Sequence, residues 1–591
     1  MTVFLQTFES IGVTVMGLEY DGGDDFLRQS ALPGDAELVG HIILNMCYPC
    51  HRVLLMDKER FKQSITHLNI RHIWAVITLI TVTCALTFYF KDGYYELGEE
   101  KYRIYMRLVR WMLPVWILFA ASHFLITRKE RSGQHIRTEL ASTEWFLILM
   151  CVTGVISTLT SSYSRISLWG HDGWHMGLIV QVAMIICCVM ASDLFAGGDR
   201  RLLAVLLWTV FIIATIAFIL GVINRFSIYP FRMWGQAEDF ISTLGNINWF
   251  CGYWCVWTGA GCGLYLYART GVTRVILSIY IWICAVTGIC CGASSCYLAW
   301  GIMSLAALLW ALSDSAGLMR LCDMEILMFA ALPTVRFIGA LRPNRMWYDS
   351  SLLRGLSYGD MWMKPFIIGV VVFSVLKEIF RRRERNRAWL RPVIAGITGG
   401  GTVAAVLMIM LNSTIEGGIW PVRGMSIFTW GISWGNSRGG IWMISLELIR
   451  RLLPFRIFFG VGCDCMCSFA YSMEDMVITL NRYIGRVYLT NAHNELLSMI
   501  INEGLAGAVA YFGVQFSSLG RCIHGLEVTG TEPAADPDPL YGGILLGAVL
   551  ALAGYMTIGM VGFMQILSTP FMFMVMGMAM GLIKRKNKNI M

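Results

Sequence analysis

The sequence predicts an all-α protein of the membrane class, a polytopic transmembrane helical bundle with about 12–14 spans. Of the 591 residues, 56% are hydrophobic and 15% are charged, and the mean hydropathy is +0.60. Soluble domains are instead roughly 45–50% apolar and about 25% charged. Apolar runs of about 17–25 residues, the length of a spanning helix, also recur along the whole chain. The short alternating pattern of a transmembrane barrel strand does not occur in them.

Basic residues lie at the ends of the apolar runs, so the net charge of +8 indicates membrane orientation rather than nucleic-acid binding. The candidate spans are 72–90, 107–127, 143–160, 176–195, 203–222, 248–268, 274–291, 296–313, 324–341, 362–379, 393–411, 494–514, 541–563 and 568–583. By the positive-inside rule we place both termini and the basic clusters in the cytoplasm, namely 128–137, 200–201, 381–387 and 584–588. The outer segments are then 91–106, 161–175, 223–247, 342–361 and 412–492.

Four regions follow from this topology. They are an N-terminal cytoplasmic or interfacial segment at 1–71, a transmembrane bundle at 72–411, a large external loop at 412–492, and C-terminal transmembrane helices with a basic cytoplasmic tail at 493–591. The first region has no basic start followed by an apolar core, so we expect no cleavable signal sequence. The external loop is too long for a simple connection, and such loops usually carry function.

The external loop contains GIWMISLELIRRLLPF, residues 440–455. Its apolar residues recur at helical spacing, as Ile441, Ile444, Leu448 and Leu452. We therefore expect this segment to lie flat on the membrane surface as an amphipathic helix.

The chain has 18 cysteines, many of them inside apolar runs, where a thiol behaves as a small hydrophobe. Cys47 and Cys50 stand close together, as do Cys463, Cys465 and Cys467. Neither group has matching histidine or cysteine partners at zinc-site spacing. We therefore expect no metal site and no cofactor.

One candidate span, within TNAHNELLSMIINEGLAGAVAYF at 490–512, concentrates polar residues at one end. On a helix several of these share one face, as the stripe Glu495, Ser498 and Asn502. Polar groups in a membrane are costly and often functional, so we predict a functional site at the N-terminal end of this span. His493 and Asn494 are the first polar residues of that site. A helix N-terminus there also suits a phosphate. The alternative is that His493 and Asn494 only cap the helix and that Glu503 makes a structural hydrogen bond.

Two motifs in the external loop supply further candidates. WGNSRGGIW, residues 434–442, places Arg438 among glycines, where its planar fork can reach a phosphate with two hydrogen bonds. FFGVGCDC, residues 458–465, has Asp464 just after a glycine-containing turn. The alternative for both motifs is a surface turn with solvated charges.

A third motif lies earlier in the chain. FISTLGNINWFCGYW, residues 240–254, has Asn246 at the outer end of a span and Arg232 upstream. An asparagine in this position is often only a helix cap. Arg336 lies inside the predicted span 324–341 and is a functional candidate, because an arginine within a membrane is costly. Alternatively its side chain snorkels to the outer surface.

Together these motifs resemble those of the O-antigen ligase and polymerase family. AHNELLSMIINEGLAGAVAYF resembles the family's His-Asn-x-x-Leu … Glu-x-Gly-x-x-Gly segment, and FISTLGNINWFCGY, NSRGGIW and FFGVGCDC precede it in the family's order. LWGHDGWHMGL, residues 168–178, looks like another family segment. Two arginines that the family often has are missing, because GASSC stands at 292–296 and Trp174 or His175 stands in the earlier segment. Arg232 and Arg336 are the candidate substitutes.

The resemblance implies a GT-C-like glycosyltransferase of a bacterial cell membrane. Such an enzyme transfers a glycan from a polyprenyl diphosphate carrier to an acceptor hydroxyl on the outer face. The implied partners are a polyprenyl-diphosphate-linked glycan donor, a glycolipid or other glycan or protein acceptor, and the lipid bilayer, with no nucleic acid. By the same resemblance, His493 is the essential histidine and Arg438 binds the diphosphate.

These residue types suit that chemistry. Arginines and a helix N-terminus can stabilise the charge of a leaving diphosphate without a metal ion. His493 can take the acceptor's proton near neutral pH, with Glu495 or Asn494 holding its tautomer. The predicted catalytic residues are therefore His493, Glu495 and Asn494. The predicted substrate-binding residues are Arg438, Arg232, Arg336, Asn246, Asp464 and Glu503.

Two other functions fit the sequence. A polysaccharide repeat-unit polymerase of the same family would use the same donor, and the sequence does not separate it from a ligase. A secondary transporter or flippase would also contain glycine-broken helices and buried charges. Transporters favour inverted repeats and sites at the membrane midplane, whereas this chain concentrates polar residues at one face and in one loop.

Overall fold

A computed structural model describes residues 69–130, 140–269, 271–348, 350–383, 385–415, 417–485, 488–531 and 538–590. Nearly all of the predicted N-terminal segment 1–71 lies outside the described residues, together with Cys47 and Cys50. The expectations for that segment therefore stay predictions.

Helices make up most of the described part. In chain order they are α1 (Ile70–Phe88), α2 (Leu97–Glu130), α3 (Ser142–Thr160), α4 (Ser164–Trp169), α5 (Leu178–Gly197), α6 (Arg200–Arg225), α7 (Ile247–Tyr267), α8 (Val272–Cys291), α9 (Ser294–Ala311), α10 (Ser315–Phe329), α11 (Ala331–Leu341), α12 (Ser351–Ser357), α13 (Met363–Arg382), α14 (Leu390–Thr414), α15 (Trp434–Arg450), α16 (Pro454–Phe459), α17 (Met466–Tyr471), α18 (Glu474–Ile484), α19 (Glu495–Thr531), α20 (Pro539–Gly559) and α21 (Thr569–Ile590). A short antiparallel hairpin pairs β1 (Phe240–Ile241) with β2 (Gly245–Asn246).

Within the described residues, 11 helical stretches are long and apolar enough to cross a membrane. The chain is therefore a multi-pass membrane protein, and the predicted all-α bundle is confirmed. Each predicted span falls wholly or mainly within helical segments. Three of them correspond to the helices α7, α13 and α21, which are less apolar or carry more charged residues and are not among these 11 stretches. In α7 the reason is a high content of glycine, tryptophan and tyrosine.

The centre of the bundle is the close contact between α7 and α20. A Cβ added at Gly259 would lie 2.4 Å from the backbone nitrogen of Ala551, and one at Gly263 would lie 2.0 Å from that of Gly547. Small residues four apart on both helices thus let the two backbones touch, as is common in membrane helix packing. This contact fixes the N-terminal end of α7 beside the C-terminal end of α20.

Three of the predicted outer segments meet at this end of the bundle. Residues from 161–175, 223–247 and 412–492 line a single cavity there. These three segments therefore lie on the same side of the bundle, as the positive-inside assignment requires.

The predicted amphipathic helix of the external loop is α15. Its apolar stripe does not face outward, because Ile444 and Leu448 are fully buried in a local core. This core is built with α17, α18 and the start of α19. The expectation that the stripe rests on lipid is therefore wrong, since protein from the same loop covers it.

The orientation in the membrane is open to a direct labelling test. Arg423 and Arg385 are both exposed and fall on opposite sides in the predicted topology. We expect Arg423→Cys to react with a membrane-impermeant maleimide on intact cells, and Arg385→Cys to react only after permeabilisation. Background labelling is set by the unmodified chain, whose described cysteines are buried or half-buried. The opposite pattern would overturn the orientation.

Candidate active site

A cavity of about 290 Å³ lies where the N-terminal ends of α7 and α19 meet the C-terminal end of α20. Four of the predicted site residues line it, namely Arg438, His493, Glu495 and Asn246. They come from three motifs that are far apart in the sequence. The cavity is near the lower limit of small-molecule sites, which span roughly 300–1,000 Å³. A cavity of this size suits a small ligand or the end of a larger one.

His493 lies just before α19, near the start of the motif TNAHNELLSMIINEGLAGAVAYF. Its φ of +46° is unusual for a residue with a side chain, and such strain is common at functional sites. Its N–H donates to the side-chain oxygen of Asn491 over 3.0 Å, and its carbonyl accepts from the Trp442 indole over 3.4 Å. The imidazole packs edge-to-face on Phe563, with 5.4 Å between ring centroids. The backbone thus holds the ring in the cavity.

The His493 imidazole makes no hydrogen bond to any residue of the described part. Burial, together with the nearby positive charge of Arg438, lowers the pKa of His493 to about 4. The ring is therefore neutral at pH 7 and can accept a proton. A bound anion beside Arg438 would raise this pKa, because it would offset the arginine's charge.

Arg438 is held at the start of the regular part of α15. The residues before it, Asn436 and Ser437, have φ values of +60° and +69°, and this turn aims the arginine at the cavity. A Cβ at Gly439 would lie 2.0 Å from the carbonyl oxygen of Gly431, so only glycine fits there. The glycines of this motif therefore position the arginine.

Among the described residues, the Arg438 guanidinium is bound by neutral groups only. Nε donates to the Val561 carbonyl and Nη1 to the Gly435 carbonyl, both over 2.9 Å. A guanidinium has five N–H groups, so these two bonds leave three for a ligand, including both on Nη2. Among the described residues no carboxylate pairs with it. Burial lowers the pKa of Arg438 from its ordinary value, but a guanidinium stays charged. Arg438 therefore brings to the cavity a positive charge that forms no ion pair within the described part.

Glu495 supplies a buried carboxylate to the same cavity. Its two oxygens accept hydrogen bonds from Tyr511 over 2.8 Å and from Tyr555 over 2.9 Å, and the Tyr555 hydroxyl is 2.8 Å from that of Thr569. These contacts fix the carboxylate at the first turn of α19. It does not hydrogen-bond His493, so the predicted role of holding the histidine's tautomer is wrong for Glu495.

Asn494 does not contact the imidazole either. Its side-chain oxygen accepts from the Leu497 N–H over 3.0 Å, and its amide donates to the Met560 carbonyl over 3.0 Å. It therefore caps α19 and ties this helix to the turn after α20. The alternative role as a structural cap is the correct one, and Asn494 is removed from the catalytic candidates.

Asn246 both caps a helix and lines the cavity. Its side-chain oxygen accepts from the N–H of Asn248 over 2.9 Å at the start of α7. Trp174 also lines the cavity. It packs edge-to-face on Trp249 and Phe563, each 4.7 Å away between centroids. These rings form an aromatic wall of the cavity.

Asp464 lies outside the cavity. Its carboxylate accepts from the backbone N–H groups of His171 and Met176, over 2.8 Å and 2.9 Å. Burial raises the pKa of Asp464 to about 6. Its role is to hold the 171–176 loop that carries Trp174, so the predicted substrate contact is wrong.

Glu503 is also outside the cavity and fully buried. One of its oxygens accepts from the Gln181 amide over 2.7 Å. The next residue, Gly504, breaks α19 with a φ of +72°, and a Cβ there would lie 2.2 Å from the Phe458 carbonyl carbon. The adjacent residues Glu503 and Gly504 therefore shape a helix crossing, which is the structural alternative for Glu503.

The remaining two arginines do not reach the cavity. Arg232 is exposed, stacks on Trp234 at 4.1 Å, and belongs to a separate open groove in the 229–236 loop. Arg336 lies on α11 and does not line the cavity. Neither can replace a missing phosphate-binding arginine in this geometry.

Sequence reasoning missed several polar residues of the cavity, among them Tyr555 and Gln565. Gln565 is buried, and its side-chain oxygen has no hydrogen-bond partner in the described part. Tyr555 lies inside the predicted apolar span 541–563, and Gln565 lies in the short connection to the next predicted span. A lone glutamine within FMQILS was the one available signal.

Comparison with known proteins adds no relative. No protein-family model matches the chain, and no curated protein matches it.

Proposed function

We propose that this protein is a membrane glycosyltransferase, similar to O-antigen ligases, that uses a polyprenyl-diphosphate-linked glycan. The observation that carries the proposal is the single cavity lined by Arg438, His493 and Glu495. It combines an unpaired cation for a diphosphate with a neutral imidazole for a hydroxyl proton.

The diphosphate would sit against Arg438. Three N–H groups of the guanidinium are available, and the N-terminus of α19 adds positive dipole charge on the same cavity. Both are fixed before the substrate arrives, so they can stabilise the charge that develops on the leaving group. No step of this scheme uses a metal ion.

The reaction forms one bond and breaks one. The acceptor hydroxyl attacks the anomeric carbon of the first sugar, and the bond from that carbon to the diphosphate oxygen breaks. The electron pair of the broken bond leaves with the polyprenyl diphosphate, while the hydroxyl proton passes to His493. Glu495 is placed to bind a sugar hydroxyl, and the wall of Trp174 and Trp249 offers stacking for the ring.

The location follows from the charge distribution. We place the cavity on the outer face of a bacterial cell membrane, because the basic clusters assign its three lining segments to that side. Donor and acceptor would then both reach it from the outer leaflet. The acceptor is a glycolipid or another glycan or protein.

The experiment is transfer in proteoliposomes that contain the purified protein and a purified polyprenyl-diphosphate glycan. Candidate acceptors are supplied one at a time. A ligase adds the glycan once to a separate acceptor, whereas a polymerase lengthens the lipid-linked glycan. Absence of both products with every acceptor would count against the proposal.

The low pKa of His493 predicts the pH dependence. The imidazole accepts a proton only when neutral, so activity is lost as the pH falls through the pKa of the free enzyme. We expect kcat/KM to stay high down to about pH 4, well below the usual histidine value of about 6.5. In Arg438→Gln the charge that helps to lower the pKa is gone, so the acid limb should move to higher pH. An acid limb near pH 6.5 in the unmodified enzyme would contradict this assignment.

A further inference from the structure

Three buried cysteines meet at one end of α7, α8 and α9. The sulfur atoms of Cys251, Cys291 and Cys296 all lie within 4.8 Å of one another. The Cys251 and Cys291 sulfurs are 3.8 Å apart, and those of Cys251 and Cys296 are 2.9 Å apart. We propose that these three thiols bind one zinc ion, a site that is independent of the proposed function.

The geometry is close to that of a zinc site. A tetrahedral ion with zinc–sulfur bonds of about 2.3 Å separates its sulfurs by roughly 3.8 Å. The sulfurs of Cys251 and Cys291 already have this separation. The sulfurs of Cys251 and Cys296 are closer, and a shift of under about 1 Å would bring them to it. Three protein ligands leave a fourth position, and the Ser295 hydroxyl, 3.3 Å from the Cys251 sulfur, is next to it. Thiolate ligands favour zinc and copper(I) over harder ions.

The charge of the surroundings favours zinc. Arg225 is 1% exposed and donates to the carbonyls of Cys290 and Cys291, over 2.8 Å and 3.0 Å. Its other bonds go to the carbonyls of Glu238 and Trp347, and no described carboxylate pairs with it. A buried charge is costly unless an opposite charge balances it. A zinc ion with three thiolates carries one net negative charge, which balances Arg225.

Binding releases protons and ties helices together. The three thiols lose their protons to solvent as the three sulfur–zinc bonds form. The turn between α8 and α9 gives access, because Ser294 is exposed. The ion would lock the ends of three helices, one of which, α7, is capped by Asn246 and carries Gly252 of the cavity. Its role would be structural.

The test is the metal content of the full chain, purified in detergent after incubation with zinc chloride and removal of free metal. We expect about one zinc ion per chain. Cys291→Ser should abolish it. Two controls should keep it: Cys284→Ser, which removes a buried thiol of the same helix, and Cys47→Ser/Cys50→Ser, which removes the N-terminal pair.

Two further measurements keep the proposal falsifiable. If Cys291→Ser does not fold, the unmodified chain loaded with cobalt(II) should show sulfur-to-cobalt charge-transfer absorption. Its absence would overturn the proposal. An unmodified chain without zinc and about 2 Da lighter than the reduced chain, as expected for a Cys251–Cys296 disulfide, would also overturn it. Zinc that survives Cys291→Ser would place the ion elsewhere.

Discussion

Replacing His493 with alanine is expected to lower the rate of glycan transfer by about 100-fold or more, in the range of acid–base catalysis. In the proposed reaction the imidazole accepts the hydroxyl proton, and its pKa of about 4 keeps it unprotonated at pH 7. Its ring makes no hydrogen bond to the described residues, so its removal should cost little stability. The measurement is initial transfer rate in proteoliposomes, at equal amounts of folded protein.

A matched control separates catalysis from folding. Asn494→Ala removes the cap of α19 and its bond to the Met560 carbonyl. This variant should lose about 0.5–2 kcal/mol of stability, whereas His493→Ala should melt at nearly the temperature of the unmodified protein. Near-normal transfer by His493→Ala would contradict the catalytic role of His493 and would favour a structural one.

Replacing Arg438 with lysine is expected to slow transfer by about 10- to 100-fold, although the charge is kept. The loss corresponds to about 1.5–3 kcal/mol for one charge-assisted hydrogen bond made mainly in the transition state. Arg438 uses two N–H groups to fix itself on Val561 and Gly435 and offers the others to the ligand. A lysine ammonium has three donors and no planar fork, so it cannot do both. The measurement is the transfer rate of the two proteins at saturating donor.

The control for this prediction is Arg423→Lys. Arg423 is an exposed arginine of the same external loop, and it does not line the cavity, so transfer should be unchanged. The same assay with excess chelator should also be unchanged, because in the proposed reaction cationic side chains take the role of a metal. Normal transfer by Arg438→Lys would contradict the proposal that the planar guanidinium of Arg438 binds the diphosphate through several N–H groups. Inhibition by chelator that magnesium or manganese reverses would contradict the metal-free reaction.

The sequence predicted the positions of the helices and several of the residues that line the cavity. Span positions follow from the length of apolar runs, which a bilayer dictates. Arg438 and Asn246 were recognisable because they stand beside glycines, and His493 because it precedes a cluster of polar residues at one end of a predicted span. The α7–α20 contact that brings their motifs together could only be seen in the fold.

Other assignments failed for a common physical reason. Asp464, Glu503 and Asn494 stand in the same motifs, but their side chains satisfy backbone groups or a buried amide where the chain turns sharply. A sequence does not distinguish a polar residue that binds a substrate from one that binds its own backbone. Tyr555 was missed because its partner, Glu495, is 60 positions away in the chain.

The most direct test of the central claim is whether the bond between glycan and diphosphate is broken. Proteoliposomes would carry a donor with a labelled glycan in the outer leaflet, and the acceptor found in the first assay. We expect labelled acceptor and an equal amount of free polyprenyl diphosphate from the unmodified protein, and neither product from His493→Ala above about 1% of that yield. Donor recovered intact, or moved intact to the inner leaflet, would contradict a glycosyltransferase and favour a flippase.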